Sequence, residues 1–101
     1  MQNNKVDISI VVPVYNEEEN LLNFINRIVG VLHDNTLSYE IIFAVDPSSD
    51  NSEAIIKKQI ENNKNIKMIL FSRKFGQQIA TMVGIKNCIG ESCVVIDCDL
   101  Q

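Results

Sequence analysis

A chain of 101 residues, 46% hydrophobic and 22% charged, is long enough for one compact domain around a single core and too short for two. Its formal net charge of -4 and pI near 4.8 exclude a nucleic-acid binder, because no basic patch is present to displace counterions from phosphates. No apolar run approaches the ~18 residues needed to span a bilayer, and the polar residues 1–7 lack the basic-then-apolar build of a signal peptide, so the chain reads as soluble and cytoplasmic.

Residues 8–14 (ISIVVPV) are a β-branched run of the continuous kind expected of a parallel strand covered on both faces. Pro13 has no N–H to give a ladder and belongs near the strand's end. Asn16 and Glu19 have the spacing of a capping box, and Leu21, Phe24, Ile25, Ile28, Val31 and Leu32 then recur at helical spacing to about His33. Residues 39–46 (YEIIFAVD) predict a second buried strand, Pro47, Ser48 and Ser49 a turn, and Asp50 with Glu53 the start of a second helix carrying Ile55, Ile56 and Ile60. After a polar break at 62–65, residues 67–71 (KMILF) predict a third strand and 72–75 a loop. The third helix is expected over 76–89 with Ile79, Met82, Val83 and Ile85 on its apolar side. Gly84 costs such a helix about 1 kcal/mol against alanine, which predicts close packing on the sheet. Gly90 stops it, and residues 92–97 are the fourth strand.

Strand alternating with helix through short connections implies an α/β fold, βαβαβαβ, with a parallel sheet and helices on both faces. Doubly wound sheets start in the middle and move outward, so the expected strand order is 3-2-1-4. Cys88, Cys93 and Cys98 are odd in number and spaced by five, matching neither a disulfide framework nor C-x-x-C, and read as reduced core or near-core residues.

The unusual polar residues fall at the carboxyl ends of these strands, where open α/β sheets bind ligands. Residues 13–17 (PVYNE), 46–50 (DPSSD), 72–77 (SRKFGQ) and 97–101 (DCDLQ) bring an aromatic ring, hydroxyls, two basic side chains, helix N-termini and a carboxylate pair to one rim. Asp97 and Asp99 at i, i+2 on an extended segment point to one side, and Gln101 continues the line, so the three can converge on one hard cation. Such a set suits a nucleotide, with a cation for the diphosphate and basic groups or helix amides for the remaining charge. Against this, an acidic pair can simply end a strand, Tyr15 can cover the sheet end, Arg73 and Lys74 can be a solvated loop pair, and Glu17 to Glu19 can serve the helix dipole.

Four segments, SIVVPVYNEEENL (9–21), AVDPSSDNS (44–52), FSRKFGQQIATMVGI (71–85) and VVIDCDLQ (94–101), resemble in order and spacing the N-terminal half of the family 2 glycosyltransferases. The likeness is greatest to the branch that moves a sugar from a nucleotide donor onto polyprenyl phosphate, and it covers essentially the whole chain. It implies a Rossmann-like half of a GT-A domain over residues 1–101 that binds a nucleotide-sugar donor, with a polyprenyl phosphate acceptor in an intact enzyme at the cytoplasmic face of the membrane, making cell envelope glycan. It places Pro13, Tyr15, Glu17 and Asp46 in the nucleotide pocket, Asp97 and the backbone of Cys98 near diphosphate and ribose, and Mg2+ or Mn2+ on Asp97, Asp99 and Gln101. The usual V-D-D-G-S motif departs here: Val45 and Asp46 match, but Pro47 and Ser48 replace its second Asp and its Gly.

The resemblance also implies an acceptor half and a catalytic base beyond this chain, so no catalytic residue is assigned and the chain is expected to bind nucleotide without turnover. Two readings compete: a receiver-like signalling domain of similar length, and a non-catalytic nucleotide-binding or interaction module. A further expectation follows from the fourth strand, which ends the predicted sheet without charge, proline or bulge before Asp97: self-association through residues 92–97.

Overall fold

A computed structural model describes residues 5–99. The chain runs β1 (Ile8–Val14), α1 (Glu18–Asp34), β2 (Tyr39–Val45), α2 (Ser52–Asn62), β3 (Ile66–Leu70), α3 (Gln77–Lys86) and β4 (Ser92–Val95). All strand pairs are parallel and the sheet order is β3-β2-β1-β4, as expected of a Rossmann-like α/β fold. A receiver-like sheet would instead run 2-1-3 from its edge.

The two central strands are buried along nearly their whole length because each face of the sheet is covered. Alternation sends Ile10, Val12 and Val14 of β1 with Ile41, Phe43 and Val45 of β2 toward α1 and α2, where they meet Leu21, Phe24, Ile25, Leu32 and Ile56. Phe24 meets Phe43 edge-on with ring centres 6.4 Å apart, a geometry that adds about 0.5–1.5 kcal/mol to the area buried.

On the opposite face α3 corrects the expected pattern. Its buried residues are Ala80 and Gly84, while Ile79, Met82 and Ile85 are exposed. The cause is distance: a Cβ on Gly84 would stand 2.5 Å from Val11 Cγ1, so the helix lies too close to β1 for large side chains between them. The close approach expected from Gly84 is present, but it turns the helix's large apolar residues outward. Helix α3 also ends at Lys86, before Gly90; Gly90 is needed because a Cβ there would meet the backbone of Ser9 and Ile8 at 2.7–2.8 Å.

The helix starts differ from expectation too. Neither α1 nor α2 has a side-chain cap from its N-cap residue, Glu17 or Asn51. Asp50, as expected, serves the start of α2, its Oδ1 accepting from Ser52 N at 3.0 Å, and beyond that the two helix starts cap each other. Glu18 N donates to Asp50 Oδ2 at 3.1 Å, Glu17 N to Ser52 Oγ at 2.9 Å, and Asn51 N to Glu18 Oε1 at 3.3 Å. Asn16, expected to cap, is left-handed (φ 53) and accepts from Ser49 N at 2.9 Å, a conformation asparagine tolerates better than most residues. Burial raises the Asp50 carboxyl, but its bonds to Ser52 and the Glu18 amide outweigh that and hold it below its ordinary value.

Among the described residues strand β4 pairs with β1 alone, and all four of its residues are exposed. Of the cysteines expected in or near the core, Cys98 is buried, Cys88 intermediate and Cys93 exposed, the last because it sits on this edge strand.

Candidate functional site

Parallel strands put all four carboxyl ends on one edge, and the ladder carries one residue further through Asp46 N to Val14 O, Phe71 N to Val45 O and Ile96 N to Val11 O, each 3.0 Å. The loops leaving that edge enclose a cleft of about 460 Å³. Pro13, Val14, Tyr15 and Glu17 line it from β1, Asp46 from β2, Lys74, Gly76, Gln77 and Ala80 from the start of α3, and Asp97, Cys98 and Asp99 from the end of β4. Pro13, Tyr15, Glu17, Asp46, Asp97, Cys98 and Asp99, singled out from sequence, therefore share one cleft. Gln101 lies outside the described residues.

Asp46 is 2% exposed and has a definite task. Its Oδ1 accepts from Phe75 N and its Oδ2 from Gly76 N, both at 3.0 Å. Gly76 has φ 94, a conformation that favours glycine, and this bend brings both amides to one carboxylate. Asp46 thus fixes the loop that carries Lys74, whose ammonium lies 3.9 Å from the centre of the Tyr15 ring. Arg73 turns elsewhere, its guanidinium 4.9 Å from the Phe75 ring, and does not line the cleft. Of the basic pair, only Lys74 faces the cleft. The first amides of α1 and α2 and the Phe75 and Gly76 amides before α3 already bond to Ser52, Asp50 and Asp46, whereas Lys74 brings a full positive charge to the cleft.

The strand stops at Val95, so the i, i+2 argument for Asp97 and Asp99 does not rest on regular β structure. Exposure alternates all the same: Asp97 and Asp99 are exposed and Cys98 between them is 2% exposed. Burial, with the charges of Glu17 and Asp99, pushes the Cys98 thiol up to about 12, so it serves as an inert anchor under the turn. Asp97 Oδ1 accepts from Gln77 Nε2 at 3.0 Å. Among the described residues no group of three or more His, Cys, Asp or Glu is arranged to hold a metal. Two carboxylates at a cleft mouth are still a donor set that suits Mg2+ or Mn2+, ions commonly held by one or two carboxylates and completed by phosphate oxygens and water.

Gly76 and Gln77 were not singled out from sequence as site residues, and Lys74 was noted only as a rim charge. The signal for them was a glycine following R-K-F just where a strand-to-helix turn was expected. Ser48 and Ser49, noted for their hydroxyls, join loops instead: Ser48 Oγ accepts from Asn16 N at 3.0 Å, and Ser49 N donates to Asn16 Oδ1.

Residues 9–101 match the profile of Glycosyl transferase family 2. The chain belongs to this family. It is 41% identical over 96 residues to the glycosyltransferase YkcC of Bacillus subtilis, covering 95% of this chain and 30% of that protein. It is 36% identical over 95 residues to the undecaprenyl-phosphate 4-deoxy-4-formamido-L-arabinose transferase of Pseudomonas fluorescens, covering 93% of this chain and 28% of that one. The family 2 chain thus spans about three-tenths of the length of these relatives. Among solved structures, the mannosyltransferase PcManGT of Pyrobaculum calidifontis, in complex with GDP-Man and Mn2+, superimposes with a TM-score of 0.78 at 18% identity over 94% of this chain and 28% of that one. S. aureus TarS in complex with UDP gives 0.77 at 23% identity over 92% and 27%. At these identities the likeness is one of fold.

Proposed function

We propose that residues 1–101 are the nucleotide-sugar-binding half of a glycosyltransferase domain that passes a sugar from a nucleotide donor to a polyprenyl phosphate. The observation that carries this reading is one cleft lined both by an aromatic ring with an ammonium against it, Tyr15 and Lys74, and by two carboxylates, Asp97 and Asp99. Family membership and the relative that acts on undecaprenyl phosphate support it. The neighbour holding GDP-Man and Mn2+ supports the choice of ligand.

Each residue's part follows from its place. Tyr15, Pro13 and Glu17 form the wall for base and ribose, with the Cys98 backbone at the turn beneath. Lys74 offers positive charge to phosphate oxygens, and Asp46 keeps the Lys74 loop in position. Gln77 orients Asp97, which with Asp99 and Gln101 would hold Mg2+ or Mn2+. A bound ion of this kind supplies Lewis-acid stabilisation of the departing diphosphate. Of the carboxylates lining the cleft, Asp97 and Asp99 are given to the ion, Asp46 to the Phe75 and Gly76 amides and Glu17 to the nucleotide wall, so the general base and acceptor site belong to the remainder of a full-length protein, working at the cytoplasmic face of a membrane in the assembly of cell envelope glycan. Among the described residues no helix is long and apolar enough to cross a membrane.

Calorimetric titration of UDP and GDP with and without Mn2+ tests the reading. Binding that requires the ion, with no sugar transfer by this chain, is expected. Absence of binding in both conditions would overturn it in favour of a non-catalytic interaction module. Self-association through β4 is a separate proposal that rests on the exposed edge of that strand, and light scattering over a concentration series decides it.

A further inference from the structure

Cys88 and Cys93 lie away from the cleft, at the opposite edge of the sheet. Cys93 is the second residue of β4 and pairs in register with Ser9 near the start of β1. Cys88 follows the last turn of α3, its amide bonded to Ile85 O at 3.1 Å. The connection between them, residues 89–92, is held at its first two residues: Ile89 N donates to Glu40 Oε2 and Gly90 N to Ser9 Oγ, each at 2.8 Å. That anchorage fixes where the two side chains point, and their sulfurs stand 2.9 Å apart. A disulfide bond is about 2.0 Å long, so closing the pair needs a movement of about 0.9 Å, within the reach of two χ1 rotations.

We propose that Cys88 and Cys93 are a dithiol site that closes reversibly to a disulfide when it meets a small-molecule disulfide. The exposed Cys93 reacts first: its thiolate attacks one sulfur of the oxidant, the oxidant's S–S bond breaks, and one small thiolate leaves. Cys88 then attacks the Cys93 sulfur of the mixed disulfide and expels the second small thiol, its own proton passing to the leaving thiolate. Two protein thiols lose two electrons and two protons, and one small disulfide becomes two thiols. Burial, with the neighbouring Cys93, pushes the Cys88 thiol up to about 11, in keeping with Cys88 as the resolving rather than the attacking group. The link would tie the end of α3 to an exposed strand of four residues whose far end leads to Asp97 and Asp99.

The test is incubation of the purified chain with glutathione disulfide, followed by thiol counting, intact mass and peptide mapping. The expected result is loss of two of the three thiols, a mass decrease of two hydrogens with no glutathione retained, a link between Cys88 and Cys93, and full reversal by dithiothreitol. Cys98, buried, serves as the internal control and stays reduced. The thermal midpoint should rise on oxidation and return on reduction. In Cys88→Ser the glutathione adduct should persist on Cys93, because the resolving thiol is gone. A persistent adduct on the wild-type chain, consumption of Cys98 alongside the other two, or survival of all three thiols would overturn the proposal, and each is read on the wild-type chain without any variant.

Discussion

The ammonium of Lys74 sits 3.9 Å from the centre of the Tyr15 ring, so the loops after β3 and β1 meet across the mouth of the cleft. An exposed contact of this kind is worth about 0.5–1 kcal/mol, too little to decide folding. Its effect should appear in binding. We expect Lys74→Ala to leave the thermal midpoint within a few degrees and to weaken nucleoside diphosphate binding about tenfold, about 1.4 kcal/mol. Binding of the corresponding nucleoside should change much less, since it has no phosphate for Lys74 to meet. Equal losses for both ligands in calorimetry would assign Lys74 to the base instead.

The two exposed carboxylates of the cleft lead to a second expectation. Asp97 is already engaged by Gln77 at 3.0 Å, and Asp99 stands beside it on the exposed side of the turn. Asp99→Ala should abolish the Mn2+-dependent part of nucleotide binding and leave the fold intact, because the side chain is exposed. Asp99→Asn should retain part of it, since an amide oxygen can still coordinate. Metal-dependent affinity unchanged in Asp99→Ala would remove Asp99 from the ion site.

The order β3-β2-β1-β4 was legible because the β-branched runs are long and continuous and doubly wound sheets allow few arrangements. The cleft was legible because the chain keeps Tyr15, Asp46, Asp97 and Asp99 at strand ends, which a parallel sheet gathers on one edge. Local hydrogen bonding was not. Asp50 does serve the start of α2, as its position suggests, through Ser52 N to Oδ1 at 3.0 Å, but Asp50 Oδ2 and Ser52 Oγ also cap the start of α1, about thirty residues earlier in the chain, and nothing local in the sequence signals that second task. Helix α3 misled for a different reason. Hydropathy assigns Ile79, Met82 and Ile85 to the core, but the spacing between helix and sheet is set by Val11 against Gly84, and only small residues fit.

That contact gives a third expectation. Gly84→Ala in a free helix would stabilise by about 1 kcal/mol, yet here the new Cβ would lie 2.5 Å from Val11 Cγ1. Valine is stiff at χ1 and Val11 is fully buried, so the methyl cannot simply turn away. Overpacking of this kind costs about 1–3 kcal/mol and should exceed the propensity gain. A net loss of up to about 2 kcal/mol in urea unfolding is expected, recovered in part by Val11→Ala in the same chain. A more stable Gly84→Ala would mean that α3 can move outward at little cost.

Glu40 provides the last. It is 2% exposed, near the start of β2, and its carboxylate takes Lys67 Nζ at 2.7 Å, Ser9 Oγ at 2.5 Å and Ile89 N at 2.8 Å. Burial is the largest influence and raises its pKa, but the Lys67, Ser9 and Ile89 hydrogen bonds together outweigh it and hold the group below its ordinary 4.5. The unfolded chain therefore takes up the proton at higher pH than the folded one. The resulting stability is fully present above about pH 4.3, the unfolded value, and is lost as pH falls through the lower folded value. Glu40→Gln keeps the shape but loses the charge, and Lys67, half exposed, can return to water, which places the cost at about 1–3 kcal/mol. Urea unfolding at several pH values should show a constant gap between wild type and Glu40→Gln from pH 7 down to about pH 5, narrowing at lower pH as the wild-type carboxylate is protonated. A gap that persists undiminished below the folded pKa would show that the carboxylate contributes through shape and hydrogen bonding alone, and not through its charge.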